Sequence, residues 1–419
     1  MQIKYPNADA VQAGLPLPLR VFVAVAASLL AVAVTAEAVC RYVLHYGYPY
    51  RSPLMDDRFP DLTTLLSRFQ HIHTLQFFTD TWAQPYMYPA PVALFYRVFF
   101  LFAPHESRAF LCFASLCAVI AALLFCHNLV GHGLGRAASV FFVAFALLTS
   151  YPLWFELRQA NMEVCCWLFI AVGLWAFMRE RGYSAAVCFG IAGALKILPF
   201  AYLGLFLNRR QYRLIFVALL AAVAITLPSL WMLYPHLRES WHLTNLTLAQ
   251  FRTVVTLDTF SPQIQFDHSA FGFLKRIVYR HISAHHFSVL LTAYSAAAAV
   301  LMLLLFFGWI RKLPVINQVL CLCVATVLLP PTSFDYTLMG LYLPWALLVV
   351  LAVRDKKGER TPGLVPAMVC FAILFVPETE MIYHRIAVGG QIKALTLVTL
   401  LYIGLRYRFP LATPPVLCD

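Results

Sequence analysis

A chain of 419 residues that is 61% apolar and 12% charged, with a mean hydropathy of +0.75, has too little polar surface to solvate a globule of its size; soluble domains carry about 25% charged residues. The formal charge of +12 is spread over short loops between apolar blocks rather than gathered in a basic stripe, which fits the positive-inside bias of membrane proteins and excludes a nucleic-acid partner. The eleven cysteines sit mainly inside apolar blocks, as Cys165, Cys166, Cys321 and Cys323 do, and read as small buried hydrophobes rather than metal or redox groups.

In chain order, a tail over 1–19 leads to an apolar segment at about 20–42. It ends in Ala36-Glu37-Ala38, which looks like a signal-peptidase site. The segment exceeds the ~7–15 residues of a signal core, so it is expected to be a retained first helix. A long loop over about 43–106 follows. Within it Val92 to Phe102 is apolar, but a crossing there would break the alternation of the later segments, so an interfacial helix is expected. A helix over about 107–128 returns to the basic turn before Arg136.

Segments at 137–151 and 161–178 then form one hairpin, and segments at 184–196 and 197–207 a second. The second pair is short. About 12 residues reach only ~18 Å, less than a hydrocarbon core, so this hairpin tip is expected to stop inside the bilayer. Lys196 and Pro199 lie at that tip, where a lysine requires a polar cavity or an anion. A segment at 213–233 leads to a second long loop, about 234–285. Five more segments alternate at about 286–309, 315–330, 336–353, 363–377 and 390–404.

Placing the basic clusters Arg179-Glu180-Arg181, Asn208 to Arg213, Arg311-Lys312, Arg354 to Arg360 and Arg406-Tyr407-Arg408 on the cytoplasmic side predicts a single all-α membrane domain over 1–419. It has about twelve crossings, two long external loops carrying juxtamembrane helices, and both termini inside.

This thread gathers the unusual polar residues on the external side. The first loop holds Met55-Asp56-Asp57-Arg58-Phe59-Pro60-Asp61-Leu62 and Tyr86 to Pro91. The hairpin tips hold Glu156-Leu157-Arg158-Gln159-Ala160-Asn161 and Lys196-Ile197-Leu198-Pro199. The second loop holds Asp267-His268-Ser269 and Lys275-Arg276, and a later turn Pro331 to Tyr336.

An acid followed by Leu (Asp61-Leu62), then Tyr88-Pro89, Gln159-x-Asn161 and Lys196-x-x-Pro199 resembles glycosyltransferase family 87, polyprenyl-phosphate-dependent mannosyltransferase-like enzymes of the GT-C superfamily. His268-Ser269 and Ser333-Phe334-Asp335-Tyr336 resemble two later family segments, so that the resemblance spans roughly 40–350. Arg158 stands where family members usually carry Gly, and the Trp and His they often carry near Phe334 and Tyr336 are missing.

The resemblance implies a GT-C fold and transfer of a hexose, mannose by family habit, from a polyprenyl-phosphate donor to a glycolipid or glycan acceptor. Transfer would proceed with inversion at the periplasmic face of the inner (plasma) membrane, among membrane lipids and without cofactor or metal. It makes Asp61 the first choice of base, with Asp57 the alternative.

Elementary chemistry asks for the same parts. An acceptor hydroxyl needs a carboxylate to take its proton, and a departing phosphate needs fixed cations. Arg158, Lys196, Lys275 and Arg276 are the candidates for phosphate. Tyr88, Gln159, Asn161 and His268 are the candidates for sugar or acceptor. Asp56-Asp57 suggests a hard cation, but no third oxygen ligand accompanies it. The rival class is a lipid or solute transporter or flippase of the cell-envelope glycan pathway, which would show internal repeats and polar residues near the midplane; no repeat is present.

Overall fold

The computed structural model describes residues 14–43, 45, 60–79, 88–251, 267–278, 284–355, 361–376, 382–383, 386–387 and 389–410. The described residues are helical almost throughout. The described β structure is one antiparallel pairing of two-residue strands, β1 (Ile382–Tyr383) with β2 (Ile386–Ala387).

The helices run in order: α1 (Leu17–Ala38), α2 (Pro60–Phe69), α3 (Gln76–Thr79), α4 (Ala90–Phe100), α5 (Glu106–Gly131), α6 (Arg136–Thr149) and α7 (Tyr151–Gln159). Next come α8 (Glu163–Met178), α9 (Gly182–Leu195), α10 (Leu203–Asn208), α11 (Tyr212–Leu233), α12 (Leu237–Phe251) and α13 (Ala270–Val278). The last are α14 (Ala284–Gly308), α15 (Val315–Leu328), α16 (Tyr342–Arg354), α17 (Leu364–Phe375) and α18 (Gly389–Arg406). A 3-10 turn over Leu198–Tyr202 precedes α10, and another over Asp335–Leu341 precedes α16.

Each of the twelve apolar segments read from the sequence is helical. Among the described residues, five helical stretches are long and apolar enough to cross a membrane: Leu17–Ala36, Glu106–Gly131, Tyr212–Leu233, His286–Lys312 and Asp335–Arg354. The α6–α7 pair, bent by 51° at Ser150, makes a sixth if it is counted as one broken span. Four shorter apolar helices of the bundle, α8, α9, α15 and α17, are 12 to 16 residues long. At 1.5 Å per residue they reach only about 18–24 Å. Length and composition thus pick out fewer spans than the expected twelve.

Two apolar clusters organise the molecule. The larger joins α1, α6, α8, α9, α11 and α15 to α18 through residues such as Phe22, Phe142, Phe189, Leu320, Trp345, Phe371 and Leu397. Its tightest seam is α9 on α11, where Gly190 lies against the backbone carbonyl of Ala218. Small residues are what lets two helix backbones approach this closely.

The smaller cluster glues the connecting helices to the bundle. Leu62 and Leu65 of α2, Phe77 and Phe78 of α3, and Tyr96 and Phe99 of α4 pack with Phe110, Leu153, Leu195 and Leu233.

The first loop is therefore structured where it is described. The α2 sequence places apolar residues at Leu62, Leu65, Leu66 and Phe69, a one-faced helical spacing, and Leu62 and Leu65 are buried. The buried Arg68 donates from Nη1 to the Phe77 carbonyl at 2.7 Å, which fixes α2 against α3. The amide of His73 donates to the Leu233 carbonyl at 3.1 Å and ties the loop to the end of α11.

The stretch expected as an interfacial helix is α4. Its eleven residues are too short to span, and its Ala90, Val92, Ala93, Tyr96 and Phe99 are buried against the protein. Much of its apolar character thus serves intramolecular packing, chiefly on α11.

Candidate active site

Three connecting segments meet around Asn161. Helix α7 ends at Gln159 and Ala160 takes a left-handed conformation (φ 50°, ψ 46°), after which α8 starts at Glu163. The Tyr96 hydroxyl donates to the Ala160 carbonyl at 2.7 Å, so α4 buttresses this turn from below.

Asn161 is buried, and its amide orientation is set by its neighbours. The backbone N–H of Glu163 donates to Asn161 Oδ1 at 3.0 Å. The Nδ2 group must then face the other way, and it donates to Asp61 Oδ2 at 2.6 Å and to the Tyr88 hydroxyl oxygen at 3.1 Å. Tyr88 also hydrogen-bonds to the Asp61 carboxylate. Because the carboxylate can only accept, the Tyr88 hydroxyl donates its hydrogen bond to Asp61 while accepting one from Asn161.

Asp61 lies in the first turn of α2. Burial pushes its carboxyl up to about 6, against the opposing pull of the Asn161 and Tyr88 hydrogen bonds. Burial and the neighbouring Asp61 charge hold the Tyr88 hydroxyl protonated, well above the usual phenol range. A carboxyl near 6 changes protonation in the range a general base uses.

On the other side of the turn, Lys196 Nζ pairs with Glu163 Oε2 at 2.5 Å. Lys196 follows the last residue of α9 and takes an extended backbone. Its ammonium also stands 5.5 Å from the ring centroid of Tyr336, which stacks in parallel on Phe155 at 6.1 Å. Asp61 and Lys196 are thus linked through Asn161 and Glu163. The buried Glu156 accepts from the Val164 amide at 3.1 Å and braces the start of α8.

A second polar group adjoins the first. Asp267 Oδ1 accepts from the amides of Ser269 and Ser333 at 2.9 and 3.0 Å. Ser269 Oγ accepts from the Gly272 amide at 2.8 Å, capping α13. His268 donates its backbone N–H to the Ser333 carbonyl at 3.0 Å. Its Nε2 is 3.0 Å from Ser333 Oγ and 3.4 Å from Thr337 Oγ1.

Its Nδ1 is 3.6 Å from Asp335 Oδ1, which accepts from Lys393 Nζ at 2.8 Å. Burial pushes Asp267 up to about 6. Burial together with the Lys393 and Lys196 charges holds His268 well below its usual range, so its ring is neutral.

Of the residues singled out from the sequence, Asp61, Tyr88 and Asn161 are joined directly, and Lys196 joins them through Glu163. His268 belongs to the second group, and the buried Lys275 acts on Asp267 there. Arg158 and Gln159 are partly exposed at the end of α7, and Arg276 is partly exposed on α13. Asp56 and Asp57 lie outside the described residues.

Sequence reasoning gave neither Lys393 nor Glu163 a place in the site. For Lys393 a signal existed, because a lysine in an apolar helix is costly without a partner. For Glu163 there was none, since its partner is thirty-three residues away.

A helical membrane protein whose connecting segments hold a carboxyl near 6 and, joined to it through Asn161 and Glu163, a half-buried lysine is equipped for proton transfer next to an anionic group. The chain belongs to glycosyltransferase family 87, whose model matches residues 86–331, more than half of its length. It is accordingly a membrane glycosyltransferase. The match contains Tyr88, Asn161, Lys196 and His268, whereas Asp61 precedes it and Asp335 and Lys393 follow it. No curated protein and no solved structure matches the chain.

Proposed function

We propose that this protein transfers a hexose, mannose first, from a polyprenyl-phosphate donor to the hydroxyl of a glycolipid or glycan acceptor, with inversion, at the external face of the inner membrane. The observation that carries this reading is the Asp61 carboxyl, held near 6 and oriented by Asn161 and Tyr88, and joined to Lys196 through Asn161 and Glu163.

In the proposed step the acceptor oxygen attacks the anomeric carbon from the face opposite the phosphate. Its proton passes to Asp61 as the new C–O bond forms. The anomeric C–O bond to phosphate breaks, and its electron pair leaves on the lipid phosphate. A single displacement with one base inverts the anomeric centre, unlike the paired carboxylates of most glycosidases.

Lys196 and Arg158 are assigned to the departing phosphate, Lys as a point charge and Arg as a fork. Lys275, buried where its charge acts on Asp267, is assigned to steadying that carboxylate, and Arg276 to the phosphate as a secondary contact. Gln159 is assigned to sugar or acceptor hydroxyls, and Asn161, whose amide is taken up by Glu163, Asp61 and Tyr88, is assigned to orienting the base. His268, fully buried and bonded to Ser333, shapes the site wall instead of touching substrate.

The test uses purified protein in detergent with labelled polyprenyl-phosphate-mannose and a glycolipid acceptor. Asp61→Asn is expected to lower turnover by about 10²-fold or more, in line with the loss of a general base. Arg238→Gln, in the exposed part of α12, is expected to leave it unchanged. Wild-type rates in Asp61→Asn would remove the base, with Asp57→Asn then the decisive variant. A product with the donor's anomeric configuration would remove the single displacement.

A further inference from the structure

The buried pair Lys393–Asp335 has no place in the step described above, yet it joins distant parts of the chain. Lys393 lies near the start of α18, beyond the stretch that the family model matches. Lys393 is fully buried and Asp335 nearly so. Two ions taken out of water persist only with close geometry and further bonds around them. Here the ammonium meets Asp335 at 2.8 Å and also stands 5.6 Å from the ring centroid of Tyr151 on α7.

Asp335 opens the 3-10 turn that precedes α16, and contacts from α18 and from the second connecting segment converge on this turn and on Ser333 just before it. Lys393 holds Asp335 from α18. His268 Nε2 meets Ser333 and Thr337 from the second connecting segment. The Asp267 carboxylate receives the Ser333 amide. Helix α13, which begins at this segment, itself packs on α18. The residue after Asp335 is Tyr336, whose ring lies beneath the Lys196 ammonium and stacks on Phe155.

We infer that Lys393 is a positioning residue of the glycosyltransferase site: through Asp335 it anchors the 333–337 turn to the last helix and so holds Tyr336 beneath Lys196. The inference rests on the assignment of Lys196 to the leaving phosphate. If that anchor is cut, Tyr336 and the Lys196 ammonium lose their fixed relation, and the chemical step slows although substrate can still bind. Residues of α18, far along the chain from the acid and from both hairpin tips, thereby belong to the site.

The test compares wild type with Lys393→Met, Asp335→Asn and the double variant Lys393→Met/Asp335→Asn. Each single variant leaves one buried charge uncompensated and is expected to lower the thermal midpoint. The double variant removes both charges together and is expected to recover most of it.

Two readouts on the double variant decide the matter. Amide hydrogen exchange over 331–337 is expected to rise while exchange in α15 stays at its wild-type level. With labelled polyprenyl-phosphate-mannose, kcat is expected to fall by about tenfold or more with the donor KM within about twofold, because misplacement by an ångström costs turnover before binding.

Wild-type exchange over 331–337, or wild-type kcat in a double variant of restored stability, overturns the inference. A wild-type protein that turns over no such donor counts against the proposed donor alone, and the exchange result then decides the anchoring.

Discussion

Asp61 receives hydrogen bonds from two donors that are themselves held in place, Asn161 by the Glu163 amide and Tyr88 by Asn161. As a base it works only when ionised. With its carboxyl pushed up to about 6, turnover is expected to rise with pH and to reach half its plateau near that value. Tyr88→Phe removes one bond to the carboxylate. A bond of about 1 kcal/mol corresponds to roughly half a unit to one unit, so the acid limb of the pH–rate profile should move upward by that amount while the plateau persists. An unmoved acid limb would mean that a different group sets it.

Stability follows with the opposite sense. A carboxyl whose folded-state value stands above the ordinary 3.8 favours the fold while it is protonated. That contribution is complete below about 4 and lost as pH rises through about 6. At neutral pH the ionised group is therefore a cost to the fold. Asp61→Asn should melt no lower than wild type at pH 7 while losing activity, a separation that thermal scans in detergent can check.

Among elements, the seam between α9 and α11 has the least tolerance. A Cβ built at Gly190 would overlap the carbonyl oxygen of Ala218, and backbone cannot swing aside as a side chain can. Gly190→Ala is expected to push the helices apart and destabilise the protein by about 2 kcal/mol or more, read as a lowered thermal midpoint. Because α9 carries Lys196 at its end, activity should fall as well. A neutral outcome would mean that the two helices slide past each other without loss.

The helices themselves were readable from the sequence because apolar blocks of 12 or more residues report burial or lipid contact whatever the tertiary arrangement. Helix α2 was less so. Its apolar positions 62, 65, 66 and 69 carry a helical period, but only 10 residues with a polar face read as loop beside the strong blocks around it.

The site divides in the same manner. Asp61, Tyr88, Asn161 and Lys196 stand in short local patterns such as Gln159-x-Asn161. Glu163–Lys196 and Asp335–Lys393 pair residues 33 and 58 positions apart, and no local pattern encodes such a distance. The roles of Glu163 and Lys393 are therefore visible only after folding.

At the scale of the whole molecule, the site residues come from α2, the segment before α4, the α7–α8 turn, the end of α9, the second connecting segment, the turn before α16, and α18. All of them lie in or beside connecting segments or at helix ends. The basic clusters at Arg179–Arg181 and Arg209–Arg213 mark the opposite ends of the neighbouring helices α8, α9 and α11. Lys and Arg accumulate on the cytoplasmic side of short loops, and this charge pattern supports the proposed position of the site at the external face.

This orientation is checked by cysteine labelling in a variant freed of its eleven native cysteines. A membrane-impermeant maleimide added to intact cells should modify Asp57→Cys and spare Arg210→Cys until the membrane is opened. Labelling of Arg210→Cys in intact cells with protection of Asp57→Cys would invert the molecule. A donor assembled on the outer side would then never meet Asp61.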